Sequence, residues 1–248
     1  MRHILLLGGT TEASALAAAL AARGERVTFS YAGRTEHPRD QPVPTRIGGF
    51  GGVEGLADFL TREGVTHLVD ATHPFAARIS ANAIAAAERA GVALLALVRP
   101  RWEAGPGDRW APVADTRGAV AALGPTPMRV FLALGRQTIG DFASAPHHDY
   151  LLRFVDAAPV LGLPRHHLLV DRGPFTPEGE IALLRAHRVQ VIVAKNAGGS
   201  GARAKLDAAR ALDLPVVMID RPFIPPRPEA ASVAHVLDWL DHGVVRGV

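Results

Sequence analysis

The stretch RHILLLGGTTEASALAAAL at residues 2–20 decides the fold of this chain. Its apolar start predicts a short buried strand, and Gly8 and Gly9 then allow a sharp turn. A helix follows, because apolar residues recur on one face at Ala13, Leu16, Ala17 and Leu20. A strand that turns on glycine into a helix directs unpaired backbone N–H groups and a positive dipole end at one point. Such a point suits a phosphate, so the chain is predicted to begin with a nucleotide site.

The match of this turn to the usual dinucleotide fingerprint is incomplete. The G-x-G-x-x-G/A pattern falls on Gly8, Thr10 and Ala13, so the second glycine is missing. The hydroxyls of Thr10 and Thr11 are candidates to replace what that glycine provides. A tight turn without a ligand is the alternative reading. The position favours a ligand, because open α/β sheets bind ligands at the carboxyl ends of their strands.

Length and composition indicate a globular protein with one large domain or two small ones. The chain has 248 residues, of which 48% are hydrophobic. It has no cysteine, which excludes disulfides, thiolate metal sites and a cysteine nucleophile. Neither a signal-peptide pattern nor an apolar run of roughly 20 residues is visible, so we expect no membrane association. A cytoplasmic location is the corresponding expectation.

The charge pattern argues against a nucleic-acid partner and points to small anions. The balance of 27 basic to 24 acidic residues is too even for a nucleic-acid binder, and the aromatic share of 6% is low for base stacking. Arginine dominates, since Lys195 and Lys205 are the only lysines. Arginine forks suit carboxylates and phosphates, although a GC-rich genome would also favour arginine. The eleven histidines show no metal-ligand spacing, so no metal site is predicted.

Strands and helices alternate along the whole chain, which predicts the α/β class. The pattern weakens at residues 99–127, which we interpret as a crossover with one short helix near 116–123. The simplest architecture is two Rossmann-like parallel-sheet domains facing a central cleft. The expected division is an N-terminal cofactor domain at 1–112 and a second domain at 113–248 that contributes to substrate binding.

The end of the second predicted strand bears on the choice of cofactor. The sequence SYAGRT at residues 30–35 places a hydroxyl and a guanidinium where NAD-preferring enzymes usually carry an acid. Ala32, Gly33 and Arg34 would then hold a 2′-phosphate, which favours NADPH. Glu36 lies close enough to keep a different preference open, and an ordinary solvated Arg34 is the alternative.

Two further stretches carry candidate chemistry. The sequence VDATHPF at residues 69–75 puts Asp70, Thr72 and His73 at a strand end, where His73 could give a proton near neutral pH. Asp70 or Thr72 could instead cap the next helix, and His73 could be satisfied by backbone groups.

The sequence KNAGGSGARAK at residues 195–205 again runs from strand through glycine loop to helix. It holds both lysines and fits an anionic ligand, unless it is only a solvated helix start.

These motifs together resemble the precorrin-6A reductase family. GGTTE at 8–12, DATHPFA at 70–76 and KNAGG at 195–199, followed by Ala204 and Lys205, occur in the family's order and cover essentially the whole chain. Ala197 departs from the pattern, because serine is common there. The resemblance implies an oxidoreductase of cobalamin biosynthesis that acts on a CH–CH bond. It would use NADPH to reduce one double bond of precorrin-6A and give precorrin-6B.

The resemblance also implies roles for individual residues. NADPH would lie on Gly8, Gly9, Thr10, Thr11, Glu12, Ala32, Gly33, Arg34 and Thr72. The tetrapyrrole, a flat macrocycle edged with carboxylates, would contact His73, Lys195, Asn196, Gly198, Gly199, Arg203 and Lys205. His73 and Asp70 would be catalytic. A monomer or weak homodimer is expected. The alternatives are a non-catalytic NADPH-sensing protein and another two-domain nucleotide-dependent enzyme.

Overall fold

The structure is a computed structural model that describes residues 2–32, 39–157 and 162–242. The chain divides into two compact units, Met1–Pro100 with Phe223–Val248 and Arg101–Pro222. Within the described residues each unit contains one six-stranded sheet, and every strand pair in both sheets is parallel. The predicted α/β class with two Rossmann-like sheets is confirmed.

The elements follow the alternation expected from the sequence. The strands are β1 (His3–Leu7), β2 (Arg26–Tyr31), β3 (Thr45–Ile47), β4 (His67–Asp70), β5 (Ala93–Leu97), β6 (Arg109–Val113), β7 (Arg129–Ala133), β8 (Asp149–Phe154), β9 (His166–Val170), β10 (Val191–Lys195), β11 (Pro215–Ile219) and β12 (Glu229–Ala230). The helices are α1 (Thr11–Ala22), α2 (Val53–Arg62), α3 (Ala77–Ala90), α4 (Thr116–Leu123), α5 (Pro177–Ala186), α6 (Ala204–Ala211) and α7 (Val233–His242).

The first sheet has the strand order β12-β5-β4-β1-β2-β3. Strand β1 lies in its centre and is buried on both faces, as expected of a parallel strand covered by helices. Ile4 and Leu6 pack with α1 and α7, whereas Leu5 and Leu7 point to the other face and pack with α2 and α3. The strand order reverses between β1 and β4, and doubly wound folds bind ligands at such a point.

The second sheet repeats this layout in the order β6-β11-β10-β7-β8-β9. The edge strand of the second sheet is β6, its first strand along the chain, which pairs with β11. The corresponding edge strand of the first sheet is β12, which pairs with β5. The first unit is therefore completed by residues that follow the whole second unit. Backbone hydrogen bonds from Ala96 N to Pro228 O and from Val98 N to Ala230 O hold β12 in place, both 2.9 Å long.

The observed units differ from the expected boundary between residues 112 and 113. Residues 109–113 form β6 and pair with the second sheet, although we expected this stretch to be part of a crossover. Residues 223–242 return to the first unit, where Val236 and Leu240 of α7 enter its core. The reason is pairing between distant strands, which the local pattern of apolar residues does not encode.

The second unit lacks a full helix after its central strand β7. Gly135 leads into two 3₁₀ segments, Arg136–Thr138 and Gly140–Ser144, instead of an α-helix. The turn at Gly135 thus leads into no α-helix N-terminus. None of the helices in the described ranges is long and apolar enough to cross a membrane.

Candidate active site

In the glycine turn after β1, Gly8 packs closely against a neighbouring side chain, whereas the space around Gly9 is open. A Cβ on Gly8 would lie 2.0 Å from Phe29 Cζ, so only glycine fits there. Gly9 has a φ of 120°, which favours glycine, and a Cβ at this residue would meet nothing within 4 Å. Thr10 caps α1: its Oγ1 accepts from Ala13 N at 3.1 Å. The same hydroxyl donates to Ala71 O at 2.9 Å and so joins the ends of β1 and β4.

Strand register brings four chemically distinct residues into one row at the carboxyl edge of the first sheet. Leu7 of β1 pairs with Asp70 of β4 on one side and with Ser30 of β2 on the other. Ser30 in turn pairs with Arg46 of β3. Gly8 N donates to Ser30 O at 3.0 Å, which ties the glycine turn to this row. The sequence motifs at residues 8–12, 30–32 and 70–73 are therefore neighbours in space.

Arg46 is a site residue that no sequence motif predicts. Its Nη1 donates to Ser30 Oγ at 2.8 Å and to Gly48 O at 3.0 Å, and its Nη2 donates to Gly49 O at 3.1 Å. The guanidinium also lies over the ring of Phe50, 3.8 Å from the ring centre. Burial lowers the pKa of Arg46 from its ordinary value. No motif surrounds this arginine, and only the pairing of β2 with β3 places it beside Ser30.

Glu12 places a carboxylate near the N-terminus of α1, where a phosphate was expected. Arg99, which follows β5, donates from Nη1 to Glu12 Oε2 at 2.8 Å, and Thr11 Oγ1 donates to the same oxygen at 3.1 Å. Burial on its own raises the pKa of Glu12, but its own backbone N–H and the Arg99 guanidinium outweigh burial and bring the pKa below its ordinary value. Glu12 is therefore charged at neutral pH and is compensated by Arg99.

Asp70 is buried at the end of β4 and organises the segment that follows it. Its Oδ1 accepts from Thr72 N at 3.1 Å and from Thr72 Oγ1 at 2.6 Å. Arg227 Nη1 lies 3.6 Å from Asp70 Oδ2 and forms an ion pair with it. Asp70 is 2% exposed and the Arg227 side chain 5%. This placement suits a residue that positions the loop, because a substrate cannot reach the carboxylate in this conformation.

His73 lies in the turn between β4 and α3 and is half-buried. Its Nδ1 accepts from Phe75 N at 3.2 Å, so the neutral imidazole carries its proton on Nε2. Helix α3 begins only at Ala77, and its N-cap Ala76 makes no side-chain hydrogen bond. Asp70 and Thr72 thus bond within the loop rather than cap the helix.

In the second unit, Asn196 uses its side chain to hold a distant backbone segment. Its Oδ1 accepts from Trp102 N at 2.8 Å, and its Nδ2 donates to Trp102 O at 3.0 Å. Trp102 Nε1 donates to Gly199 O at 2.7 Å, and Gly198 and Gly199 both adopt positive φ. Arg221 Nε donates to Asn196 O at 3.0 Å, which fixes the same loop from another side. The glycine loop after β10 is therefore strongly constrained.

The other predicted cations of this loop lie at the end of β10 and at the start of α6. Lys195 ends β10, and Arg203 is the N-cap of α6, with its Nε 3.2 Å from Asp207 Oδ1. Lys205 is buried, donates from Nζ to Ala202 O at 2.5 Å, and lies 5.2 Å from the centre of the Trp102 ring. Lys205 thus lies against Trp102, a contact that the sequence motif does not predict.

A cavity of about 160 Å³ lies at the carboxyl edge of the second sheet. Its lining residues are Ala133, Leu134, Arg153, Phe175, Glu180, Ala202, Ala204 and Lys205. Arg153 forms a buried ion pair with Glu180, with Nη2 3.2 Å from Oε2, and lies 3.7 Å over the ring of Phe175. No sequence motif links Arg153, Phe175 and Glu180, and only the fold joins them to Lys205.

Part of the predicted cofactor site, at the end of β2, is not described by the structure. Gly33 and Arg34, and also Glu36, lie outside the described residues. Ala32 is described and is exposed just after β2. Among the residues whose positions are given, no group of three or more histidine, aspartate or glutamate side chains could hold a metal ion.

Comparison with known proteins identifies the family. The family model described as Precorrin-6x reductase CbiJ/CobK matches residues 3–241. The chain belongs to this family. A precorrin-6A reductase from Rhodobacter capsulatus is 57% identical over 251 residues, with 100% of both chains covered. One from a Sinorhizobium species is 52% identical, covering 97% of this chain and 93% of the relative.

The fold agrees with a solved member of the precorrin-6x reductase family. A structure described as CobK precorrin-6A reductase superimposes with a TM-score of 0.95, at 57% identity and with 100% of both chains covered. The agreement extends over both sheets. As a member of this family, the protein is a reductase, and the resemblance that the sequence motifs indicated is confirmed.

Proposed function

We propose that the protein transfers hydride from NADPH to precorrin-6A and yields precorrin-6B, a step of cobalamin biosynthesis. The observation that carries this proposal is the row at the carboxyl edge of the first sheet. There the glycine turn after β1 lies beside Ser30 and Arg46 on one side and Asp70 on the other. Full-length similarity to precorrin-6A reductases supports the choice of substrate.

The residues at this edge fit a dinucleotide phosphate. The open space over Gly9 allows a pyrophosphate to approach the backbone at the start of α1, with Thr10 and Thr11 beside it. Glu12 is already paired with Arg99, so in this proposal its carboxylate accepts from a ribose hydroxyl rather than meeting a phosphate. Ala32, Gly33, Arg34 and Thr72 complete the proposed set of cofactor residues. NADPH supplies the hydride when it is bound.

The second unit provides cations for a substrate edged with carboxylates. Lys195, Arg203 and Lys205 are the proposed direct contacts, because charge-assisted hydrogen bonds to carboxylates are strong. Asn196 is the exception within the predicted set. Its amide is occupied on both sides by Trp102, so we assign it the role of shaping the loop that contains Gly198 and Gly199.

The reduction also needs a proton, which we assign to His73. Hydride adds to an electrophilic ring carbon conjugated to nitrogen, and the neighbouring carbon takes up the proton. In this proposal His73 donates from its protonated imidazolium form and is left as the neutral imidazole. Asp70 contributes indirectly as a positioning residue, since it anchors Thr72 at the start of the same turn.

The proposal is tested by incubating the purified protein with precorrin-6A and NADPH. We expect loss of reduced-nicotinamide absorbance together with a shift in the macrocycle spectrum. In single turnover, His73→Ala should slow the reduction and remove the pH dependence that belongs to an imidazole donor. The control is His235→Ala, an exposed histidine on α7 of the same unit. NADPH binding without consumption would contradict the enzymatic role, and an unchanged rate and pH profile in His73→Ala would remove His73 from it.

A further inference from the structure

We propose that Arg46 selects NADPH over NADH by binding the 2′-phosphate of the cofactor at the end of β2. This inference rests on the proposed function and assigns the contact to a residue on β3. From the sequence alone, the contact is predicted only for the segment that contains Arg34.

The position of Arg46 matches the place where Rossmann folds distinguish the two cofactors. Ser30, near the carboxyl end of β2, is the register partner of Arg46 and receives its Nη1 hydrogen bond at 2.8 Å. Ser30 O also accepts from Gly8 N at 3.0 Å, so the guanidinium lies one strand away from the glycine turn. An acid at this point binds a ribose 2′-hydroxyl, whereas an arginine accommodates a 2′-phosphate.

Among the described residues, Arg46 has neutral hydrogen-bond partners only. Its hydrogen bonds go to Ser30 Oγ and to the carbonyl oxygens of Gly48 and Gly49, which are all neutral acceptors. No residue in the described ranges contributes a carboxylate that forms an ion pair with it. A partly desolvated cation without an acid is costly. A dianionic phosphate beside Ser30 would supply the missing negative charge.

The guanidinium is also held ready for a ligand. Three of its five N–H groups serve the acceptors on residues 30, 48 and 49, which leaves two for a phosphate oxygen. Its face is fixed over Phe50, 3.8 Å from the ring centre. A side chain that is already ordered loses little entropy when it binds, which increases the affinity it can contribute. Holding the glycine-rich loop is the competing explanation for the same contacts.

Nucleotide fragments without the nicotinamide separate these explanations and do not depend on turnover. Isothermal titration would measure the binding of 2′,5′-ADP and 5′-ADP to the unmodified protein, to Arg46→Met and to Arg46→Lys. We expect the unmodified protein to prefer 2′,5′-ADP. Arg46→Met should bind 2′,5′-ADP about 10-fold to 100-fold more weakly, as loss of charge-assisted hydrogen bonds implies, with no change for 5′-ADP. Arg46→Lys should retain part of the preference, because lysine keeps the charge but not the fork.

The matched control is Arg26→Met. Arg26 begins β2 at the opposite edge of the same sheet and is exposed, so this variant removes one positive charge far from Ser30. It should bind both fragments as the unmodified protein does. In steady state, the ratio of KM for NADPH to KM for NADH should rise in Arg46→Met with little change in kcat.

Three results would overturn the inference. Equal weakening of both fragments in the Arg46 variants would assign Arg46 to holding the loop. An unchanged preference for 2′,5′-ADP would assign the phosphate to another residue. Since Arg46→Lys keeps the charge, it decides between these outcomes even where Arg46→Met fails to fold. An unmodified protein that does not distinguish the two fragments would instead contradict the NADPH part of the proposed function.

Discussion

Arg227 Nη1 lies 3.6 Å from Asp70 Oδ2 in the interior of the first unit. Asp70 ends β4, and Arg227 comes just before β12, so the ion pair joins the candidate active site to the segment that returns from the second unit. Asp70 in turn holds Thr72 through two hydrogen bonds. The turn that contains His73 is therefore anchored by a residue more than 150 positions away along the chain.

Removing Arg227 should destabilise the first unit strongly. Arg227→Met leaves the Asp70 carboxylate buried without its cation, and breaking a buried pair in this way costs about 3–5 kcal/mol. The free energy of unfolding, measured by urea titration, should fall by that amount. Adding Asp70→Asn to Arg227→Met should recover part of the loss, because the uncompensated charge is then gone.

The control for this pair is Arg89→Met. Arg89 forms an ion pair with Glu54 at 2.6 Å, but both side chains are exposed. Exposed pairs contribute about 0–1 kcal/mol, so this variant should unfold almost as the unmodified protein does. If Arg227→Met cost no more than Arg89→Met, the ion pair would not anchor the loop.

The close approach of Gly8 to Phe29 gives a second test. Gly8→Ala places a methyl group 2.0 Å from Phe29 Cζ, and such overpacking costs about 1–3 kcal/mol. In the double variant Gly8→Ala/Phe29→Leu, the smaller leucine side chain makes room for the new methyl group. This variant should recover part of the lost free energy of unfolding. Gly135→Ala is the control, because a Cβ there meets nothing within 4 Å and its φ of −73° suits any residue. Equal effects of Gly8→Ala and Gly135→Ala would contradict the packing argument.

The Asn196 bridge to Trp102 predicts a large effect in the second unit. Asn196→Leu leaves Trp102 N–H and C=O without their partners, and each buried unpaired group costs about 1–3 kcal/mol. Urea unfolding followed by tryptophan fluorescence would measure the loss. The control is Asn82→Leu, which replaces a half-buried asparagine of α3. This variant should lose much less free energy of unfolding. Similar losses in both variants would show that the bridge adds nothing.

His148 predicts how stability responds to acid. This imidazole is fully buried and accepts from Met128 N through Nδ1, while burial and the neighbouring His147 lower its pKa below the ordinary 6.5. The unfolded chain binds this proton more readily, so stability should be full above pH 6.5 and decline as the pH falls from there through the lower folded pKa. In His148→Gln this decline should be shallower than in the control His235→Gln. An equal decline in both variants would remove His148 from the account.

The sequence predicted the central strands well and the edge strands poorly. Strands such as β1 and β10 consist mostly of apolar residues, because they are buried on both faces. The edge strand β6 contains Pro112 and is mostly exposed, and β3 has only three residues. Such strands have little apolar patterning, and proline is tolerated at an edge. Which sheet they join depends on long-range pairing.

The candidate site was predictable where a motif coincides with a strand end. Gly8 follows the buried strand β1, and Asp70 and Lys195 end the buried strands β4 and β10, so their positions at the carboxyl edges could be derived from the sequence. The positions of Arg46 and Arg227 could not be derived in this way. Arg46 reaches the site because the short strand β3 pairs with β2, and Arg227 reaches it through an ion pair with Asp70, which is distant in sequence. Asn196 was found by its motif, but its side-chain role depends on Trp102, 94 residues away.

The most direct test of the central claim follows the hydride itself. Precorrin-6A would be incubated with the protein and with NADPH carrying deuterium at the transferable position of the nicotinamide, and the product examined by mass spectrometry. The account predicts a reduced macrocycle that has gained one deuterium from the cofactor for each NADPH oxidised. A macrocycle that remains unreduced, or one reduced without the label, would contradict it.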